Sequence, residues 1–91
     1  MNKTRRNELQ KQANALAELR TQLEDIKSEI ENIQSEEEDA YDALPDGIQM
    51  SERGDTMQEN IDNLSDAASQ LDDEISNIDD IIDAINEVIE R

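Results

Sequence analysis

The apolar residues of this chain recur at alternating steps of three and four, and the spacing resumes after a single interruption. A 3.5-residue repeat is typical of α-helices that pack along a seam, whereas the side chains of β-strands alternate with a period of two. The two runs comprise Leu9, Leu16, Leu19, Leu23, Ile26, Ile30, Ile33, Ala40 and Leu44, with polar Gln12 and Glu37 in register, and then Met57, Ile61, Leu64, Ala68, Leu71, Ile75, Ile78, Ile82, Ile85 and Ile89. The repeat predicts an all-α fold, in which residues 1–91 form one domain with helices over 4–43 and 51–90.

The interruption, residues 44–50, contains the only proline of the chain and predicts a bend between the helices. Pro45 restricts the preceding residue to extended backbone and should end the first helix. The Asp46-Gly47 pair is expected to supply the positive φ of a tight turn, and Ser51 to cap the second helix. Folding the chain back here pairs Leu9 with Ile89, and every later layer also finds a partner. The sequence therefore predicts an antiparallel two-helix coiled-coil hairpin.

Charge supports the antiparallel direction. Residues 1–27 carry six cations against four acids, whereas residues 28–91 carry two cations against 21 acids. An antiparallel fold lays the basic start of the first helix along the acidic end of the second, while a parallel pair of straight helices would stack acid on acid.

One end of the hairpin is broader in apolar surface than a two-helix seam requires. Five further residues flank the seam there, namely Ala13, Ala17, Ile81, Ala84 and Val88. Because a two-helix seam buries little apolar area against the entropy of ordering the chain, we expect these residues to form an oligomer contact in a four-helix dimer or a larger assembly. The alternative is simple two-stranded packing with some exposed alanines.

The composition argues against several kinds of chemistry. The chain has no cysteine and no histidine, so thiolate sites and disulfides are excluded and the commonest general base and metal ligand is missing. The acid clusters at 36–39 and 79–83 lack the spacing of a calcium-binding loop. We therefore expect no metal, no cofactor and no enzymatic activity. The basic start leads into no apolar core, so it does not resemble a secretory signal peptide. No window is apolar enough for a membrane span, so the expected location is the cytoplasm, with no membrane contact.

The second helix has a strongly acidic surface. Between Asp55 and Glu90 there are 12 carboxylates and no Lys or Arg. One hypothesis is that this surface mimics the phosphates of DNA and binds a basic groove of a nucleic-acid-binding protein. The face predicted for this role comprises Asp62, Asp66, Asp72, Asp73, Asp79 and Asp80. The alternative is a solvated face that only keeps the protein soluble.

The bend carries residues that turning alone does not require. Ile48 and Met50 are apolar at the tip, and Arg53 is the only cation between Lys27 and Arg91. Gly54 falls on a seam position opposite Leu44, where it is expected to leave a gap. These residues, together with Ser51, are the predicted ligand site.

The residues of the bend also carry a resemblance. The junction DALPDGIQMSERGDTMQENIDNL resembles one in small acidic hairpin proteins of Gram-positive bacteria and their phages. It is more distantly similar to the two-helix phage proteins that sequester nucleotide immune signals, the anti-CBASS and anti-Thoeris sponges. Their bend has the form Leu-Pro-acid-Gly-x-x-x-Ser followed by Glu, matched here by Leu44, Pro45, Asp46, Gly47, Ser51 and Glu59. The sponges tend to carry basic residues just after the Gly, where this chain has none.

The resemblance implies a non-enzymatic phage-type protein that counters a host defence system. It would act by sequestering a nucleotide signal, with Arg53 on the phosphate, or by blocking a defence protein. The alternatives are the acidic DNA mimic and a structural coiled coil that only assembles. The expected partners are further copies of the chain and either a nucleotide or a basic host protein, with no direct binding to nucleic acid.

Overall fold

The computed structural model describes all 91 residues and consists of helices without strands. Helix α1 spans Lys3–Asp42, the one-turn helix α2 spans Asp46–Gln49, and α3 spans Glu52–Glu90. The all-α prediction is confirmed, and the two long helices begin and end within about one residue of the predicted bounds. The short helix α2 was not predicted. No helix of the chain combines the length and apolar character that crossing a membrane requires.

Two compact units make up the chain. Unit 1 comprises Met1–Asp25 and Leu71–Arg91, and unit 2 comprises Ile26–Gln70. In unit 1, Arg20 of α1 contacts Asp79 of α3, and in unit 2, Glu37 of α1 contacts Asn60 of α3. The predicted pairing matches residues whose numbers sum to 97 or 98, and each of these contacts lies within one residue of that register.

The predicted seam positions of α3 are turned inward in both units. Ile61, Ala68 and Ile75 are buried at 8%, 7% and 6% exposure, and the other seven predicted positions are half-buried. Because Asp, Asn and Ser are poor helix formers and are frequent on the surface of α3, packing of this apolar row must contribute much of the stability of the helix.

Helix α1 is turned differently from the prediction. Leu9, Leu16, Leu23, Ile30 and Leu44 are half-buried, as is Glu37. However, Leu19, Ile26 and Ile33 are 45%, 50% and 51% exposed, and Ala40 is also exposed. The second inward row instead lies one residue later along the chain, at Arg6, Ala13, Arg20, Lys27, Gln34 and Tyr41. The prediction was therefore right for one row of α1 and wrong for the other.

Long polar side chains can occupy an inward row because their aliphatic stems pack while their charged ends reach solvent or a carboxylate. Arg20 is the clearest case. Its Nε donates to Asp79 Oδ1 and its Nη1 to Glu24 Oε1, each at 2.5 Å. Lys27 Nζ lies 3.4 Å from Glu31 Oε1 on the next turn. These partners satisfy the charges that packing brings toward the seam.

The bend contradicts the predicted tight turn, because no residue of the chain has a positive φ. Pro45, with φ −58° and ψ 147°, lies at the N-cap of α2, and its carbonyl accepts hydrogen bonds from the amides of Ile48 and Gln49. Asp46 and Gly47 are thus helical residues, and Asp46 lies at the positive end of the α2 dipole. Proline before the first helical turn loses no hydrogen bond that the helix would make.

Gly54 does not leave a gap, which corrects the second expectation at the bend. It is buried, and a Cβ atom at this position would lie 1.9 Å from the backbone oxygen of Gln49. The space opposite Gly54 is therefore filled by the end of α2. Glycine is required here because only a residue without a side chain allows the two backbones to approach this closely.

The five residues of the predicted oligomer contact do not all lie on the surface. Ala13 is 4% exposed and belongs to the core of unit 1, so it cannot contact a second molecule. Ala17 and Ala84 are exposed, Ile81 is 49% exposed and Val88 is half-buried. The prediction for Ala13 was wrong because it assigned this residue to the flank of a seam whose inward row it joins.

Candidate functional site

The bend uses much of its hydrogen-bonding capacity for its own structure. Ser51 lies just before α3, and its carbonyl accepts the amide of Asp55 as a helix N-cap residue does. Its hydroxyl, however, donates backward to the carbonyl of Ile48 at 2.5 Å, so the predicted side-chain cap of α3 is not formed. Gln49 Nε2 donates to the carbonyl of Tyr41 at 2.9 Å and thereby satisfies a group at the end of α1.

Three of the five residues predicted at the bend remain available to a ligand. Met50 is 86% exposed and Ile48 is 37% exposed. Arg53 is exposed in the first turn of α3, and its side chain forms no hydrogen bond or ion pair. Gly54 is covered by Gln49, and the Ser51 proton is already donated. The predicted site is therefore an exposed tip, and its central glycine offers no opening.

The electrostatic surroundings of the tip disfavour an anionic ligand. Unit 2, to which the bend belongs, carries 13 acids and only two cations, Lys27 and Arg53. An open cleft of about 260 Å³ in the same unit is lined by Tyr41, Gln58 and Ile61 but also by Glu38 and Asp42. A phosphate bound beside Arg53 would gain one attraction against a field of carboxylates.

The outward face of α3 is acidic with a period of seven. Its outermost positions, which are all exposed, are Glu59, Asp66, Asp73, Asp80 and Glu87. We call these five residues the acidic ridge. None of their side chains forms a hydrogen bond or ion pair within the chain. At 1.5 Å per residue, successive members are about 10.5 Å apart along the helix axis.

A second outward row widens the acidic ridge. It is exposed throughout and comprises Asp55, Asp62, Ser69, Ser76, Asp83 and Glu90. Where both rows are acidic, a carboxylate occurs every three or four residues, or about every 5 Å. The outer face of α3 therefore presents closely spaced charges with serines at two positions.

The structure divides the six residues predicted to mimic DNA. Asp62, Asp66, Asp73 and Asp80 lie on the outward rows, whereas Asp72 and Asp79 lie beside the seam. Asp79 is half-buried and accepts the hydrogen bond from Arg20. That bond, followed by the one to Glu24, raises the pKa of the Arg20 guanidinium above its ordinary value. Asp79 therefore stabilises unit 1 and is not part of the outward face.

Sequence reasoning missed two features of the candidate surfaces. Gln49, which shapes the bend, gives no signal in the sequence, because its role depends on the path of the backbone. Glu59 and Glu87 belong to the acidic ridge and could have been found by applying the seven-residue repeat to the acids as well as to the apolar residues. No three acidic side chains come together where they could hold a metal ion.

Comparison of the chain with protein-family models, with curated proteins and with solved structures finds no match in any of the three.

Proposed function

We propose that this chain is a non-catalytic binding protein whose acidic ridge occupies a basic surface of another protein. The observation that carries the proposal is that all five ridge positions are acidic, exposed and without a partner in the chain. A surface selected only for solubility would gain from interspersed Lys, because Glu–Lys pairs on neighbouring turns stabilise a helix. From Asp55 to Glu90, α3 has no such pair.

The charge spacing is suited to a surface that binds the nucleic-acid backbone. Where both outward rows are acidic, carboxylates about 5 Å apart compare with about 3.4 Å between charges along one DNA strand. A basic groove built for phosphates would accept such a face, and the binding would weaken steeply as salt rises. The partner is thus a DNA- or RNA-handling protein. In the setting implied by the resemblance, it would be a component of a host defence system in the cytoplasm.

The proposal includes the finer details of the fold. The two long helices would pair antiparallel along their length as a coiled-coil hairpin, and hairpins would assemble into a four-helix dimer or a larger oligomer. The contacts Arg20–Asp79 and Glu37–Asn60 support the first statement. The exposed apolar side chains, among them Ile81, support the second. An oligomer would present more than one acidic ridge to a partner.

Competition with DNA tests the proposal. The chain is titrated into complexes of a fluorescent DNA duplex with each of a panel of sequence-nonspecific DNA-binding proteins, and displacement is followed by fluorescence anisotropy. The test variant is D62N/D66N/D73N/D80N. The control, E18Q/D25N/E29Q/E36Q, removes the same number of charges from exposed positions of α1 that have no partner. We expect displacement by the wild type and the control, and at least a tenfold weaker effect from the test variant.

Two results would contradict the proposal. If the two variants lose activity equally, net charge and not the acidic ridge is responsible. If the wild type displaces DNA from no member of the panel at low salt, the acidic face only solubilises the protein, and a purely structural coiled coil becomes the better interpretation.

A second candidate function rests on Arg53. This exposed cation without a partner lies in the first turn of α3, where backbone amides and the helix dipole favour anions. The candidate is sequestration of a nucleotide signal at the bend. It requires that cyclic or ADP-ribose-type nucleotides raise the Tm of the wild type and not that of Arg53→Ala. An unchanged wild-type Tm would reject it.

A further inference from the structure

Helix α1 carries an exposed apolar row that the fold leaves without a partner. Leu19, Ile26 and Ile33 are spaced seven residues apart on one face of the helix and are about half exposed. Ala40 continues the row toward the bend, and Gln12 and Arg5 continue it toward the N-terminus, all exposed. We call Leu19, Ile26 and Ile33 the α1 stripe. It is adjacent to the inward rows and is not part of the acidic ridge.

We propose that the α1 stripe binds the α1 stripe of a second copy of this chain, with the two helices antiparallel and Ile26 next to Ile26 of the other copy. This inference names the face and the direction of the assembly and rests on the oligomer that the proposed function includes. Ala13 was predicted to belong to the oligomer contact. In this inference the contact is formed instead by three residues that were predicted to be buried in the two-helix seam.

The core of a single chain is small, so the large apolar side chains of the α1 stripe are expected to be covered by a further contact. Ala13, Ile61, Ala68 and Ile75 are the only buried apolar side chains, and no large side chain is fully enclosed. Small chains bury a smaller fraction of their surface than large domains do, and a thin core is often supported by oligomerisation. Three large aliphatic side chains in a row on one helix are therefore typical of a helix packed on two sides.

The distribution of charge favours a second copy over an unrelated partner. Residues 3–20 of α1 carry five cations and two acids, whereas residues 29–42 carry seven acids and no cation. Lys3, Arg5, Arg6 and Lys11 form no ion pair within the chain. With Ile26 next to Ile26, residues 29–42 of one copy face residues 10–23 of the other. Lys11 then lies at the acidic half of the other copy, and Arg6 lies opposite Asp46, just beyond the end of α1.

The same charges disfavour two other arrangements. Parallel α1 helices would place seven acids beside seven acids. Packing through α3 would bring together two helices that each carry 13 acids and one cation, whereas α1 carries 11 acids and six cations. The antiparallel pairing of α1 is therefore less repulsive than either of these two arrangements. It also leaves the acidic ridge exposed.

Single cysteines provide a direct test, because the natural chain has none. With Ile26 beside its own equivalent, Ile26→Cys should form a disulfide-linked dimer in nearly full yield under mild oxidation. In the same register Leu19 lies opposite Ile33 of the other copy. Leu19→Cys mixed with Ile33→Cys should therefore cross-link, while either variant alone should not. Asn32→Cys, which lies on the outward face of α1, is the control and should remain monomeric on a non-reducing gel.

Sedimentation of the wild-type chain separates this inference from the wider proposal. Strong cross-linking of Leu19→Cys alone would show parallel helices and overturn the inference. A wild-type dimer that Ile26→Cys does not cross-link would place the contact elsewhere, with the Ile81 and Val88 face the next choice, and would leave the assembly itself in place. A wild-type monomer at high micromolar concentration would overturn both the contact through the α1 stripe and the proposed oligomer. Displacement of DNA by the acidic ridge is measured independently of all three results.

Discussion

Gln49 holds the bend together through two different contacts. Its side-chain amide donates to the carbonyl of Tyr41, and its backbone oxygen lies against Gly54. One residue thus connects the end of α1 with the start of α3. The sequence indicated that residues 44–50 form the bend, but it could not show this arrangement, because Asp-Gly after a proline is equally compatible with a tight turn and with a short helix. The position of Gly54 against Gln49 depends on which of the two forms.

The two glycines should therefore respond oppositely to the same substitution. Gly54→Ala places a Cβ atom 1.9 Å from backbone oxygen, so the bend must open, and we expect the free energy of unfolding to fall by about 1–3 kcal/mol. Gly47→Ala meets no atom within 4 Å and lies in a helix without positive φ, so it should be neutral or raise stability by up to about 1 kcal/mol. Urea unfolding followed by circular dichroism compares them, and equal stabilities would refute the close approach.

The two long helices differ in how well their packing could be predicted. In α3 the apolar residues form two rows and both are inward, so the repeat alone located the seam. In α1 the apolar residues also form two rows, but only the row containing Leu23 is inward. The other inward row contains Arg20, Lys27 and Gln34, which a hydrophobic pattern assigns to the surface. When a helix has two apolar rows, the sequence cannot show which of them packs within the chain.

Within α3, burial should determine the cost of removing an isoleucine. Ile75 is 6% exposed and Ile81 is 49% exposed, and both lie in unit 1. We expect Ile75→Ala to lower the free energy of unfolding by about 2–5 kcal/mol. Ile81→Ala should cost less than about 1 kcal/mol at low protein concentration. Chemical unfolding at two protein concentrations measures both, and similar costs at low concentration would contradict the seam of α3.

A cost of Ile81→Ala that grows with protein concentration would have a different meaning. Stability that depends on concentration is the signature of assembly. Such a result would show that Ile81 also contacts a second copy.

At the scale of the whole molecule, charge opposes folding. The chain carries 25 acids and eight cations, for a net charge of −17, and helix formation fixes most acids of α3 within about 10 Å of another. The sequence alone established this imbalance. It could not show that the acids divide into a ridge without partners and a flanking set that includes Asp79, because that division depends on the rotation of each helix. The acidic character of the candidate surface was therefore predicted from the sequence, but only some of the residues that form it were identified.

Added salt should stabilise the protein. The Debye length falls from about 10 Å at 0.1 M to about 3 Å at 1 M, which screens repulsion between neighbouring ridge acids more than it weakens the few ion pairs. We expect the Tm to rise steadily with sodium chloride. The D62N/D66N/D73N/D80N variant should begin with a higher Tm at low salt and show a smaller rise. A Tm that falls with salt in the wild type would mean that ion pairs such as Arg20–Asp79 outweigh the repulsion.

The seven-residue repeat has a consequence for how this protein can change in length. The seam, the acidic ridge and the α1 stripe all share this period, so removing one or two residues from a helix would rotate all three surfaces relative to one another. Deleting a complete heptad from α1 together with the matching heptad of α3 would keep each surface in phase and leave the bend untouched. Versions that are shortened in this way, or lengthened by inserting matched heptads, should fold. They would form a series of proteins whose acidic ridges differ in length and in number of charges.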